Sequence, residues 1–535
     1  MRFVVAACLI VVAGVTAIKL GRRAQNWNDE LALRSPLAEV SPIVDDPQTP
    51  RLTGRVVMIV IDGLGIDESH LPFLDELRAR GASTVAEVPY PTISRPNYVT
   101  LLTGVPPADS GVRANRVPFP VGLDTVMDRV RAAQLRVASA SDFGVMPNLF
   151  ARGSKTLSIG WLESPAAHGT RITAPPGITW PVDEAIRTRS LEDLAPVIAA
   201  LGSDDAAAGF AFVPVLVLDV DRAGHAHGIG PEYRAAATAV DNMLRTAFGH
   251  LDLTRTTVIV VADHGHVAPG GHGGPEREVA HVPLILAGKG ILPGAKAHGA
   301  RSIDVAPTIA ALLGVPGPGH AEGRALVELL DLDSAAYKTR TVFDLRRAAE
   351  MGRVMEAARA AASRPDPLRL AQVAVGLLAL AALGFWLSRR RALLLPRGAV
   401  AGVAGFALML VAMIVVTRGH ASPSYVPSLA RTIELGTIGI VISIAVQVGA
   451  SWLAIRRAAD RLAAANGLAL AGFGLALALR FLVRAWFFKP FVVVPSPFWF
   501  VAIPTIDLAT ATCAVATAIS LALAVATSLR ASATA

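Results

Sequence analysis

Hydrophobic and polar positions divide the chain into regions of different period. Between residues 55 and 315, short unbroken apolar runs alternate with stretches of helical spacing. The run at 55–61 ends in Asp62 and Gly63, that at 214–218 leads into Asp219 and Asp221, and that at 256–262 ends in Asp263 and His264. Runs apolar on both faces and rich in β-branched residues predict central parallel strands. Residues 282–288 form one further run, and 83–88 and 135–140 read as short strands. Helical spacing covers 70–81, 123–133, 232–249 and 302–314, with Gly81 and Gly314 as stops. This alternation predicts an α/β fold, a doubly wound sheet flanked by helices. Residues 142–210 are less regular, and 165–181 read as an inserted loop near the substrate.

Outside this region the pattern is almost wholly apolar. Residues 3–18 lie between Arg2 and the cations Lys19, Arg22 and Arg23. They are read as an uncleaved anchor in preference to a cleavable signal peptide. After Leu368, apolar spans run over roughly 368–388, 398–417, 432–455, 463–483 and 499–528, each near the ~20 residues a bilayer requires. Arg389, Arg390 and Arg391 follow the first span, Arg456, Arg457 and Arg461 the third, and Arg530 the last. Cytoplasmic placement of these clusters puts residues 21–367 outside. The expectation is a multi-pass protein of the plasma (inner) membrane with an extracytoplasmic catalytic domain. Arg480, Arg484 and Lys489 then fall on the outer side, where they snorkel or face a lipid phosphate. Residues 340–363 read as a charged, solvated amphipathic helix. The expected organisation is a signal-anchor or signal segment at 1–20, a proline-containing tether at 21–54 and a soluble domain at 55–335. A helical connector at 336–367 and a bundle of about five helices at 368–535 complete it.

Composition agrees: 53% hydrophobic against 17% charged residues is the balance of a chain with a large membrane fraction. The net charge of +8 sits largely in short clusters beside apolar spans. Arginine is not interleaved with aromatics, so no nucleic acid is expected as a partner. Cys8 and Cys513 both lie in apolar segments, which argues against a disulfide or a thiolate metal site.

The chemistry concentrates at residues 260–274, where Asp263, His264, His266 and His272 follow a strand. Imidazole and carboxylate together suit Zn²⁺ or a similar divalent ion. A lone aspartate after a strand is ordinarily a turn residue or a cap. Here Asp62, Asp221 with His225, and Asp263 with His264 occupy three strand tips, and His272 follows on a loop. That convergence favours a metal site. Asp221 and His225 lie four apart across Gly224, read as a turn that folds both onto one ion, while Asp219 and His227 are read as residues that support the ligands or lie at the surface, with no ligand role of their own. Ser94 stands before Arg95-Pro96-Asn97 at the start of a helical stretch. It either faces an incoming phosphate at a helix N-terminus or merely caps that helix.

Five elements, in order, resemble the alkaline phosphatase superfamily over about residues 55–315, closest to its type I phosphodiesterase/nucleotide pyrophosphatase branch. They are the strand-Asp-Gly at Asp62, the PT-x-S-x-PN segment around Ser94, D-x-x-G-H at Asp221, DHG at Asp263, and His272. Many relatives carry threonine where Ser94 stands. The resemblance implies two divalent ions, zinc by preference. One would be held by Asp221, His225 and His272, the other by Asp62, Asp263, His264 and the Ser94 oxygen. Ser94 would be the nucleophile, passing through a phosphoserine intermediate, and Asn97 would hydrogen-bond a phosphoryl oxygen. The layout, a catalytic domain followed by several spans, is similar to that of the GPI ethanolamine phosphate transferases. The expected activity is a metal-dependent phosphodiesterase or phosphohydrolase at the membrane, with a nucleotide, phospholipid or glycolipid as substrate. The alternative is a phosphoethanolamine-type transferase acting on a lipid or glycolipid. A sulfatase is disfavoured because Ser94-Arg95-Pro96 does not fit a C/S-x-P-x-R pattern. A transporter or scaffold is disfavoured because every expected ligand is present and Glu434 and Asp507 are the main acidic groups of the spans.

Overall fold

The computed structural model describes all residues except 45–48, 118–120, 142–182, 188–209, 363–366, 397, 427–428, 487–492 and 534–535. The chain divides into two compact units. One is Leu31–Ala361; the other joins Met1–Glu30 to Ala362–Ala535.

The first unit is built on a seven-stranded sheet. Its strands are β1 (Arg55–Ile61), β2 (Gly81–Glu87), β3 (Arg136–Ser141), β4 (Asp183–Arg187), β5 (Phe210–Val217), β6 (Thr256–Val261) and β7 (His281–Gly288). Their order across the sheet is β2-β7-β6-β1-β5-β3-β4. β1 is central and parallel to both neighbours, with Met58 opposite Pro214 on β5 and Ile259 on β6. All residues of these three strands are buried, as their unbroken apolar sequences require. β7 runs antiparallel to β6 and β2, so the sheet is mixed rather than wholly parallel. The chain returns from β6 through a loop and the short helix Arg277–Ala280, with no long crossover helix between the two strands. β4 adds an edge strand that no apolar run announced, paired in parallel with β3. The loop expected at 165–181 lies outside the described residues.

Two other segments differ from their sequence reading. Asp221 and His225 stand on a helix, Asp219–His227, not in a turn. The charged helix Ser334–Ala362 is not simply solvated, because Arg340, Asp344 and Arg347 are fully buried. Arg347 donates to the carbonyls of Ala321 and Gly323 and to Asp344, while Arg340 donates to the carbonyls of Val315 and Pro307. Asp344 in turn accepts from the Ala325 amide. Periodicity cannot distinguish charges turned to water from charges that satisfy buried carbonyls.

In the second unit, six helices are long and apolar enough to cross a membrane by length and composition, among the described residues. They include Arg2–Gln25, Pro367–Arg389, Leu429–Ile455, Arg461–Trp486 and Pro497–Ala533, together with Ala404–Val416 extended by the 3-10 turn at Ala399–Val403. The first helix packs against the last, with Ala6 and Ala13 fully buried. Gly472 meets Gly402 so closely that a Cβ there would lie 2.4 Å from backbone, the close approach small residues allow in bilayers. Arg480 and Arg484 neither snorkel nor face headgroups. Both are buried, and both pair with Asp507. Arg484 also donates to Glu30 at 2.5 Å, which Arg23 binds from its other side at 2.5 Å. Lys489 lies outside the described residues.

Candidate metal centre

Parallel strands end on a common edge, and the carboxyl ends of β1, β5 and β6 are adjacent. Asp62 follows β1, and its amide bonds to the Val217 carbonyl at 2.9 Å. Asp263 follows β6, and its Oδ1 accepts the Gly63 amide at 3.1 Å. Gly63 has φ 73°, and a Cβ there would lie 2.7 Å from the His266 ring. Only glycine lets this turn pass so near the histidine. The helix after β5 sets Asp221 and His225 four residues apart, on one face. Ser94 opens the helix Ser94–Thr103, which stops at Gly104 in the left-handed conformation (φ 72°).

The structure brings together seven of the eight residues singled out. His264 Nε2 lies 3.0 Å from Ser94 Oγ, 3.3 Å from Asp62 Oδ1 and 3.4 Å from Asp263 Oδ2. Asp221 Oδ1 lies 3.4 Å from His225 Nε2 and 3.6 Å from His272 Nε2, and those two nitrogens are 3.0 Å apart. Tetrahedral ligands about 2.0–2.1 Å from a common ion stand roughly 3.3 Å from each other, so both sets have the edge lengths of a coordination shell. The oxygens involved, Asp62 Oδ1, Asp263 Oδ2 and Asp221 Oδ1, are buried without a hydrogen-bond partner among the described residues. Buried carboxylate oxygens are rarely left so. The donor set therefore fits two divalent cations.

Tautomers are fixed by backbone carbonyls, which can only accept. His264 Nδ1 lies 3.1 Å from the Gly265 carbonyl, and His272 Nδ1 lies 3.0 Å from that of Thr92. Each Nδ1 carries the proton, and each Nε2 lone pair faces the cluster. The Thr92 hydroxyl donates to the Gly274 carbonyl and accepts the Gly273 amide, so the His272 loop is tied to the Ser94 segment. Tyr98, fully buried, donates to Asp62 Oδ2, leaving Oδ1 for the cluster.

Asn97 is placed differently. Its amide donates to the carbonyls of Ile93 and Pro91 at 3.0 and 3.2 Å, and its Oδ1 is buried without a partner among the described residues. It thus fastens the turn ahead of Ser94. The N-terminus of this helix is also less open than a bare helix end, because Asn115 takes the Arg95 amide and Pro96 has none.

The electrostatics suit a cation. Burial, then the charges of Asp263 and Asp221, raises the Asp62 carboxyl well above its ordinary range. Burial, with Asp221 behind it, pushes Asp263 up to about 8. Burial holds His264 well below the usual imidazole value and lowers His272 to about 3. For Asp221 burial acts upward, but His266, His272, His264 and His225 outweigh it and hold the carboxyl low. Neutral imidazoles around crowded carboxylates are in the form that metal ions bind.

His227 is exposed and Asp219 pairs with Arg222 at 3.6 Å, both outside the cluster. His266 is inside it, though the resemblance assigns it nothing. Its Nε2 lies 3.1 Å from Asp221 Oδ1. The sequence signal was present, since His266 belongs to the same strand-end motif as Asp263 and His264.

Residues 56–269 match the family model described as type I phosphodiesterase / nucleotide pyrophosphatase. The match runs from β1 to the loop after β6, the part of the chain that carries Asp62, Ser94, Asp221, His225, Asp263 and His264. Among curated relatives, the catalytic subunit of GPI ethanolamine phosphate transferase 3 of Mus musculus is 25% identical over 311 residues, covering 52% of this chain and 26% of that protein. GPI ethanolamine phosphate transferase 1 of Mus musculus is 26% identical over 352 residues, covering 57% of this chain and 36% of that protein. The 2,3-bisphosphoglycerate-independent phosphoglycerate mutase of Dinoroseobacter shibae is 34% identical over 128 residues, covering 22% of this chain and 24% of that one. The chain thus aligns with well under half the length of each. With six helices among the described residues long and apolar enough to span a bilayer, it is a multi-pass membrane protein.

Proposed function

We propose that this domain is a metal-dependent phosphodiesterase or related phosphohydrolase, with Ser94 as nucleophile. The observation that carries the reading is Ser94 Oγ at 3.0 Å from His264 Nε2, beside buried carboxylate oxygens that have no hydrogen-bond partner among the described residues. Ser94 Oγ gives up its proton and bonds to phosphorus as the bond to the leaving oxygen breaks, giving an alcohol that has gained a proton and a phosphoserine that still carries the other ester group of a diester substrate. Water, or a second hydroxyl, then takes the phosphoryl group and restores the serine. Asp221, His225 and His272 would hold one divalent cation, and Asp62, Asp263, His264 and Ser94 another, zinc by the donor set. The cations supply the positive charge that makes a serine hydroxyl nucleophilic at neutral pH and offsets charge on the phosphoryl oxygens.

Asn97 positions Ser94 by anchoring Pro91 and Ile93. A contact from Asn97 to a phosphoryl oxygen requires one of those bonds to be exchanged. The basic clusters at Arg389 to Arg391 and at Arg456, Arg457 and Arg461 support an extracytoplasmic placement for the domain. The alternative is transfer of a phosphoethanolamine-type group to a lipid or glycolipid, and the two mouse transferases favour weighing it.

The test is a turnover screen of the full-length protein with and without zinc. It sets bis-p-nitrophenyl phosphate against p-nitrophenyl phosphate, and phosphatidylethanolamine with and without a glycolipid acceptor. Diester cleavage that chelator abolishes supports the hydrolase, and a modified glycolipid supports transfer. Preference for the monoester overturns the diesterase reading.

A further inference from the structure

His266 is a buried histidine with nothing to do in the scheme above. Its side chain is fully buried, and neither ring nitrogen has a hydrogen-bond partner among the described residues. An imidazole carries at least one N–H and usually one lone pair. Leaving both unmet in a protein interior is costly. The ordinary explanation, a core histidine satisfied by its neighbours, offers at most the Asp221 carboxylate to Nε2 and leaves Nδ1 with no partner among the described residues. The Tyr233 ring lies beside it, centroids 5.9 Å apart, but its oxygen is already committed to the Gly63 carbonyl at 2.6 Å and the Gly65 amide at 3.0 Å.

The ring is also aimed. Nε2 lies 3.1 Å from Asp221 Oδ1, which likewise has no hydrogen-bond partner among the described residues. Two polar atoms this close without the alignment of a hydrogen bond have the spacing of neighbouring ligands on one ion. Donor atoms of Asp221, His264 and His266 all lie within 4.8 Å of one another, a third set that shares Asp221 with one triad and His264 with the other. Two glycines make the room. A Cβ on Gly63 or on Gly224 would lie 2.7 Å from His266 Nε2.

We propose that His266 is an additional direct ligand to a divalent cation of the zinc class at Asp221, beyond the ligands the family resemblance supplies. This rests on the cation reading of the centre, and the experiments separate the two. Crystals of the full-length protein grown with zinc are measured at the zinc absorption edge. The expected result is an anomalous peak about 2.1 Å from a His266 nitrogen. In solution, His266→Cys loaded with Co²⁺ is expected to gain a thiolate-to-cobalt charge-transfer band that the unaltered protein lacks. His266→Ala is expected to bind zinc at least ~10-fold more weakly in a chelator competition. Ions seated on the other ligands with both His266 nitrogens beyond about 3 Å, or a cobalt-loaded His266→Cys protein without the band, overturn this inference alone. Absence of any bound ion in the unaltered protein removes this inference and the proposed function together.

Discussion

Ser94 Oγ and His264 Nε2 lie 3.0 Å apart although 170 residues separate them in the chain. One opens a helix and the other follows the strand beside the sheet's central one, so the contact exists only because both elements end at the same edge. If Ser94 is the nucleophile, Ser94→Ala should reduce phosphodiester turnover by at least about a thousandfold. Zinc content should stay near that of the unaltered protein, because the remaining ligands persist. Ser94→Thr keeps the hydroxyl and should keep measurable activity. Retention of more than a tenth of the rate by the alanine variant would rule out the assignment.

Tyr98 holds one oxygen of Asp62 and turns the other into the cluster. Tyr98→Phe removes that orienting bond without removing a ligand. Zinc affinity should fall roughly 10–100-fold, measured by chelator competition. An unchanged affinity would mean that Asp62 is held by the strand end alone.

Asp507 neutralises two arginines in the helical bundle. Asp507→Ala leaves Arg480 and Arg484 buried in an apolar surround with less compensation, a change that costs about 3–5 kcal/mol when a buried pair is broken. Thermal unfolding in detergent should show it as a lowered midpoint. Replacing Arg480, Arg484 and Asp507 together by apolar residues should cost less than removing Asp507 alone. If the single variant melts with the unaltered protein, the cluster is hydrated and contributes little.

Burial, with Asp109 beside it, pushes the Glu322 carboxyl up to about 8. An acid whose folded-state pKa is raised binds more protons folded than unfolded between the two values. Its contribution is therefore intact below the ordinary carboxyl range and lost as pH rises through about 8. The melting temperature of the metal-loaded protein should fall across that window, and Glu322→Gln should flatten the slope. An equal slope in both proteins would place the pH dependence elsewhere.

The strand tips were legible because a buried parallel strand has a simple signature: an unbroken apolar run that stops at a charge. Asp62, Asp263 and His264 follow from it directly. The antiparallel return of β7 was not legible, since an apolar run carries no direction. Arg340, Asp344 and Arg347 were misread for a related reason, as helical spacing does not say whether a charge meets water or a buried carbonyl. Arg480 and Arg484 were misread likewise, because their partners Asp507 and Glu30 come from helices distant in sequence.

The sequence by itself determined which residue types were available for the centre and on which strand ends they fell. Composition and local period are properties of neighbouring residues. Tertiary structure alone decided that Asp221 faces three imidazoles, that Asn97 is turned to backbone carbonyls, and that His266 is sealed beside Asp221 with no hydrogen-bond partner among the described residues. Those facts depend on distances between segments far apart in the chain, and only the packing of the sheet and its helices sets such distances.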